Sequence, residues 1–201
     1  MMTMNEVRER MGRMTIGIAG LGGLGSAVAL TLARTGAGQL IIVDFDRVDD
    51  TNILRQQYHL AQIGMLKTEA MRELLQAVAP RTVISVHTVR LDPQNIPEIF
   101  DEAQYIAECL DAPTAKAMFT HTVLAELVPR GAKLVAASGL AGSGPANDIA
   151  TRALKPGFSL VGDSVSDVDA IGVMLASRVG ITASHQAHQI IRWVLEDTAT
   201  G

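Results

Sequence analysis

Cysteine, aromatic residues and long apolar runs are all scarce in this chain, and each scarcity removes a class of protein. One cysteine, Cys109, among 201 residues allows no intrachain disulfide and no cysteine-rich zinc site. Its place inside the apolar run YIAECL makes it a buried structural thiol rather than a nucleophile. Aromatic residues are 3% and the net charge is −4, with no basic run, so there is neither a stacking platform nor a cationic stripe for a nucleic acid. No apolar stretch approaches the length of a membrane span, and the opening residues are polar and charged, unlike a signal peptide; a soluble, cytoplasmic protein is expected.

What is present is a particular order of glycine and apolar residues. Hydrophobic residues make up 48%, which suits a sheet buried on both faces, and the length suits one well-cored domain. From Thr15, TIGIAGLGGLGSAVALTLARTGAG reads as a short apolar strand, a glycine loop and an apolar helix. Gly20, Gly22 and Gly25 stand in the G-x-G-x-x-G spacing, with Gly23 between them. One glycine is required where the strand turns sharply, another where backbone lies against phosphate, and a third where helix packs closely on strand. Amides opening the helix near Leu24 then point at the phosphates, and the helix dipole favours their charge. The next strand, QLIIVDFD, ends on Asp44, nineteen positions after Gly25, where a carboxylate can accept hydrogen bonds from ribose hydroxyls.

Residues 1–14 read as a polar, helical, solvated lead-in, and residues 15–201 as a single nucleotide-binding domain. Strands are expected at Ile16–Ala19, Leu40–Val43, Thr82–Leu91, Tyr105–Leu110 and Leu134–Ala137. Helices are expected at Gly25–Thr35, Lys67–Val78, Asn95–Glu102 and Pro113–Leu127. Their alternation calls for an α/β, Rossmann-like, doubly wound and mainly parallel sheet with helices on both faces. In the tail, Ala137–Arg152 reads as a glycine-rich loop, Phe158–Asp163 as a strand, and Ser166–Leu195 as a long apolar helix interrupted by glycine.

Ligands of an open α/β sheet bind outside the carboxyl ends of its strands, where the glycine loop, Asp44 and Asp111 all fall. Asn52, Arg55 and Gln56 are spaced i, i+3 and i+4, so they share a face if that turn is helical, and Lys67 opens the next helix. An arginine fork and a lysine point charge beside a phosphate loop suit a triphosphate better than a nicotinamide dinucleotide. Plainer roles stand beside these: Arg55 and Lys67 as surface cations, Asp46, Asp49 and Asp50 as loop solvation, and Asp111 as the cap of a helix beginning near Pro113. His185 and His188 have no third ligand nearby and read as structural. On the residues alone, an ATP-using transferase, an NAD(P)-dependent oxidoreductase and a non-catalytic scaffold all stay open.

Four blocks resemble the ThiF family, adenylating enzymes related to molybdopterin-synthase adenylyltransferase and the ubiquitin-activating enzymes. They are GLGGLGS at Gly20–Ser26, VDFDRVDDTNILRQQY at Val43–Tyr58, GMLKTEA at Gly64–Ala70 and ECLDAPTAKAMF at Glu108–Phe119. AASGLAGSG at Ala136–Gly144 and SRVGITASHQAHQ at Ser177–Gln189 are similar to the family's short branch. The resemblance implies ATP on Gly20, Gly22, Gly23 and Gly25 with its ribose on Asp44, and Asp46 in the same nucleotide-binding set. It implies that Asn52, Arg55, Gln56 and Lys67 hold the phosphates and that Asp111 holds Mg²⁺, with Arg55, Lys67 and Asp111 carrying the catalysis. The implied acceptor is the C-terminal glycine carboxylate of a small ubiquitin-like sulfur carrier protein, with thiamine biosynthesis the default pathway. A homodimer is implied too, in which Arg8 or Arg10 can reach the neighbouring site. Longer relatives carry two C-x-x-C zinc pairs and a downstream cysteine for thioester or persulfide chemistry. This chain has neither, so it is expected to stop at adenylation, and the loop Gly139–Asn147 to help cover the carrier tail.

Overall fold

A computed structural model describes residues 2–166 and 171–197. Seven strands form one sheet: β1 (Thr15–Ala19), β2 (Gln39–Val43), β3 (Val83–His87), β4 (Tyr105–Glu108), β5 (Lys133–Ala137), β6 (Ala150–Lys155) and β7 (Phe158–Gly162). Their order is β3-β2-β1-β4-β5-β7-β6, parallel throughout except for the antiparallel edge pair β6–β7. The chain winds outward from β1 through β2 to β3, then returns and winds the other way from β4. The C-terminal ends of β1 and β4 therefore flank the switch point at which such folds open a crevice.

Strand periodicity of two divides the core into two layers. Ile16, Ile18, Leu40, Ile42, Ala107 and Val135 point toward α1 (Met4–Met11), α2 (Gly23–Thr35), α3 (Lys67–Val78) and α6 (Ala176–Asp197). Ile41, Val43, Ile106 and Leu134 point the other way, toward α4 (Ile96–Ile99) and α5 (Pro113–Glu126). With helices on both faces, the central strands are buried on both sides and read as continuous apolar runs.

Two glycines fix where α2 meets β1. Gly20 has φ +88°, a left-handed conformation, and a Cβ on Gly25 would stand 1.8 Å from the Gly20 carbonyl oxygen. Gly25→Ala must therefore push the helix off the strand. We expect it to cost about 3 kcal/mol, roughly a 6–12 °C fall in melting temperature by calorimetry; an unchanged melting point would contradict this contact.

Several boundaries differ from the sequence expectation, for local reasons. The helix α2 begins at Gly23 rather than Gly25, and α4 is a single turn rather than Asn95–Glu102. The third strand ends at His87, because residues 88–91 leave the ladder. Residues 150–152, expected as loop, belong to β6, whose outer half is exposed and so carries no apolar alternation. The long helix starts at Ala176, not Ser166. Residues 172–175 run non-helically, with Gly172 at φ +77° and Met174 bridged to Gly142, while residues 167–170 of the expected helix lie outside the described residues. The lead-in is helical, as expected, and it is anchored to the domain. Thr3 and Glu6 form a capping box at α1, Met11 is fully buried, and Arg10 donates to the Leu195 carbonyl of α6 at 3.0 Å. Among the described residues no helix is long and apolar enough to cross a membrane.

Candidate active site

Asp44 braces the glycine loop. Its Oδ2 accepts from the Leu21 amide at 2.7 Å and its Oδ1 from the Asp46 amide at 2.8 Å. Each oxygen keeps lone-pair capacity for a ribose hydroxyl, but the carboxylate's first task here is to hold the loop. Tyr58 holds it from the other side, donating its hydroxyl to the Leu21 carbonyl at 2.8 Å; burial, and secondarily the Asp44 charge, push the phenol's pKa up, so it stays a donor. The first turn of α2 is uncapped. Gly22 is its N-cap and contributes no side chain, and the first intrahelical amide bond runs from Ser26 to the Gly22 carbonyl. The amides of Gly23, Leu24 and Gly25 are thus left at the positive end of the helix, which is the arrangement that binds phosphate.

Two polar side chains border that turn, and a buried lysine is linked to the loop through two carboxylates. Gln56 is only 8% exposed, its Nε2 lies 3.9 Å from where a Cβ on Gly22 would stand, and its buried Oε1 has no hydrogen-bond partner among the described residues. Leaving such an acceptor unpaired costs about 1–3 kcal/mol, which a hydrogen-bonding ligand would recover. The half-buried stem of Arg55 lies 3.8 Å from a Cβ position on Gly23, and its guanidinium has one long contact, 3.4 Å to the Thr51 carbonyl. Lys67 is no surface cation. It is 6% exposed, is the first residue of α3, and places Nζ 3.1 Å from Asp46 Oδ2. A chain of contacts thus runs from the Leu21 amide through Asp44 and Asp46 to the Lys67 ammonium.

The turn holding Asn52 is helical, a 3₁₀ segment over Asp50–Leu54, but Asn52 Oδ1 is taken by the Asp49 amide at 3.1 Å. Asp111 stands just past β4, exposed, accepting only from the adjacent Ala112 amide at 2.7 Å. Ala112 is the N-cap of α5 and no side chain caps that helix, so the capping role for Asp111 is not realised. A lone exposed carboxylate beside a phosphate loop fits Mg²⁺, which keeps waters and shares its shell with phosphate oxygens. Arg8 and Arg10 lie elsewhere. Arg8 packs against Gly36 at the C-terminus of α2, about 20 Å along that helix from the glycine loop. Cys109 is buried with its thiol pKa pushed up by desolvation and then by the Glu108 charge, as suits a structural thiol. His185 Nδ1 pairs with Thr151 Oγ1 at 3.0 Å, tying α6 to β6.

With this geometry, comparison with known proteins is decisive for the family. The ThiF family profile matches residues 2–200. The chain belongs to the ThiF family. Among curated relatives, the UBA4 adenylyltransferase and sulfurtransferase of Candida glabrata is 35% identical over 136 residues, covering 67% of this chain and 30% of the relative. The uba4 adenylyltransferase and sulfurtransferase of Aspergillus terreus is 39% identical over 124 residues, covering 61% of this chain and 25% of that one. This ThiF-family chain thus spans 25–30% of the length of these two relatives. Among solved structures, E. coli tRNA N6-threonylcarbamoyladenosine dehydratase, TcdA, in complex with ATP superposes with a TM-score of 0.86 at 21% identity, covering 97% of this chain and 91% of that one. E. coli MccB with MccA-N7isoASN gives 0.73 at 19% identity, covering 94% and 58%. At these identities the likeness establishes the fold.

Two buried ion pairs near the ThiF-family site escaped the sequence expectations. Glu108 is fully buried at the end of β4; Lys116 Nζ lies 2.9 and 2.8 Å from its two oxygens and 3.0 Å from the Leu110 carbonyl. The loop that carries Asp111 is thereby folded around an ammonium group. A glutamate inside an apolar strand was the available signal, because such a carboxylate requires a cation. Desolvation pushes the Glu108 pKa up, with Lys116 opposing. Lys116→Met is expected to cost about 3 kcal/mol or more by stranding that carboxylate. With the folded pKa raised, the stability is intact below the unfolded glutamate pKa and declines as pH rises through the folded one. Removing Lys116 takes away the charge that opposes this rise, so melting temperatures of the variant should fall further than those of wild type as pH rises, and a pH-independent difference would contradict the pair's ionisation. The second pair, Arg178–Asp163, lies at 2.7 Å with both side chains buried.

Proposed function

We propose that this ThiF-family chain is an ATP-dependent adenylyltransferase. It activates the C-terminal glycine carboxylate of a small ubiquitin-like sulfur carrier protein as acyl-AMP and releases pyrophosphate, in thiamine sulfur delivery. The observation that carries the reading is the uncapped first turn of α2, bordered by Arg55 and by Gln56 with its unpartnered oxygen, with buried Lys67 linked to the same loop through Asp46 and Asp44. A dinucleotide oxidoreductase needs the glycine loop but has less need of an arginine and a lysine near it than a triphosphate has.

The acceptor carboxylate is ionised at neutral pH and is already a nucleophile, so no general base is required. Rate must come from alignment and from neutralising charge at the α-phosphorus. The amides of Gly23, Leu24 and Gly25 cradle phosphate, and Arg55 and Lys67 meet the charge that builds as pyrophosphate leaves. Lys67 is held ready by Asp46, which the triphosphate displaces as its partner. Mg²⁺, held by Asp111 and phosphate oxygens, would neutralise charge on the triphosphate. Within the described residues, buried Cys109 is no candidate for sulfur transfer, so the step assigned to this domain is adenylation. A cytoplasmic homodimer, with an α1 arginine, Arg8 or Arg10, acting across the interface, completes the reading.

Thermal shift with saturating nucleotide provides a first test. ATP with Mg²⁺ at about 100 times its dissociation constant should add about 2.7 kcal/mol, raising the melting temperature by roughly 5–10 °C, while NAD has no effect. Stabilisation by NAD alone would favour the oxidoreductase. Pyrophosphate exchange into ATP should then require a carrier ending in Gly-Gly, and should be absent with the same carrier lacking its last glycine.

A further inference from the structure

The C-terminal ends of β1, β4, β5 and β7 lie side by side in that order along one edge of the sheet. Nucleotide-facing groups cluster on the β1 and β2 side: the glycine loop, Asp44, Asp46, Gln56 and Lys67. With Asp111 standing past β4, the approach left open to an acceptor is over β5 and β7, where the loops at residues 138–147 and 163–166 stand. The first of these, SGLAGSGPAN, has little side-chain bulk and presents mostly peptide groups. Such a wall suits an extended tail ending in glycine, which is recognised mainly through its main chain.

One side chain clasps both loops. Arg178, in the first turn of α6, is 3% exposed; its NH1 donates to the carbonyls of Gly144 at 2.6 Å and Pro145 at 3.2 Å, and its NH2 to Asp163 Oδ2 at 2.7 Å. Asp163 Oδ1 accepts from the amides of Val165 at 2.9 Å and Ser166 at 2.8 Å, and Oδ2 accepts from the Ser166 hydroxyl. The loops touch closely: a Cβ on Gly139 would stand 2.2 Å from Asp163 Oδ1, and Ser164 adopts φ +62°. The neighbouring residue, Val179, packs on the phosphate end of α2, with Cγ1 2.8 Å from a Cβ position on Gly23. A single turn of α6 thus contacts the nucleotide loop and holds the loops beyond it.

We propose that Arg178 and Asp163 are positioning residues. They fix residues 138–147 as the wall along which the acceptor's C-terminal tail lies, so that acceptor binding, and not ATP binding, depends on them. This rests on the adenylyltransferase reading. A buried ion pair contributes little net stability compared with apolar packing, but its directional bonds to two loop carbonyls admit one loop geometry. The planar guanidinium reaches carbonyls and carboxylate together, which a lysine ammonium does not.

The test compares Arg178→Lys, Arg178→Met and Asp163→Asn with wild type. Three measurements are made: calorimetric binding of a non-hydrolysable ATP analogue, pyrophosphate exchange with a ubiquitin-like carrier ending in Gly-Gly, and hydrogen exchange by mass spectrometry. Expected are a carrier KM raised about tenfold or more, ATP-analogue affinity within about twofold of wild type, and faster amide exchange at residues 138–147 but not at 20–25. Should Arg178→Met fail to fold, Arg178→Lys and Asp163→Asn, which keep the buried volume, decide the matter. An active wild type whose two conservative variants keep the carrier KM would overturn this proposal alone, as would an equal loss of ATP and carrier affinity. A wild type showing no carrier-dependent exchange would overturn the adenylyltransferase reading and this proposal with it.

Discussion

Lys67→Ala and Arg55→Ala are each expected to lower carrier-dependent pyrophosphate exchange by about 100- to 1,000-fold. Each removes a full positive charge from the place where charge accumulates as the α-phosphorus changes partners, and the buried position of Lys67 limits solvent screening of that charge. The loss should fall on kcat more than on the KM for ATP, because the uncapped amides of α2 and the Gln56 amide still hold the ground state. Folding should survive. Lys67 pairs with an Asp46 whose side chain is 46% exposed and can be hydrated, so the cost is chiefly the lost packing of the buried lysine stem, about 2 kcal/mol. Among the described residues the Arg55 side chain makes one long hydrogen bond. Asp46→Asn supplies the control: it releases Lys67 without removing it and should leave exchange far closer to wild type. Near-normal exchange in either alanine variant would remove that residue from the mechanism.

The second large effect concerns Asp111. Replacing its carboxylate by an amide in Asp111→Asn keeps shape and removes charge, so the Mg²⁺ concentration giving half-maximal exchange should rise about tenfold or more, with kcat down about 100-fold at ordinary Mg²⁺. Among the described residues this carboxylate neither caps α5 nor pairs with a cation, and its side chain accepts only from the adjacent Ala112 amide. Its loop is held instead by Lys116 on Glu108 and Leu110, so Asp111→Asn should melt like wild type. An unchanged Mg²⁺ titration would leave Asp111 with no more than its local turn contact.

The fold was legible where the determining contacts are local. Strand, glycine loop and helix follow one another within residues 15–35, and Gly20, Gly23 and Gly25 are required by a backbone conformation or a close approach. The continuous apolar strands announced a sheet covered on both faces. Helix α6 was misplaced at its start because composition across Ser166–Ala176 is as apolar as a helix, while Gly172 takes a left-handed conformation that no periodicity reveals. The site was legible in part for the same reason. Arg55, Gln56 and Lys67 fall within a short stretch of chain, but no local pattern signals that Asp44 braces Leu21 or that Gln56 keeps an unpaired oxygen. Arg178 was invisible, because its partners lie 15, 33 and 34 positions away and meet only when β5, β7 and α6 have assembled.

The most direct measurement follows an oxygen atom. A Gly-Gly carrier whose terminal carboxylate is labelled with ¹⁸O is incubated with the protein, ATP and Mg²⁺, and the acyl product is trapped with hydroxylamine. If the carboxylate attacks the α-phosphorus, one labelled oxygen leaves the carrier with the nucleotide, and the released AMP carries ¹⁸O. AMP without label, or labelled inorganic phosphate with ADP in its place, would show that the tail does not attack the α-phosphorus.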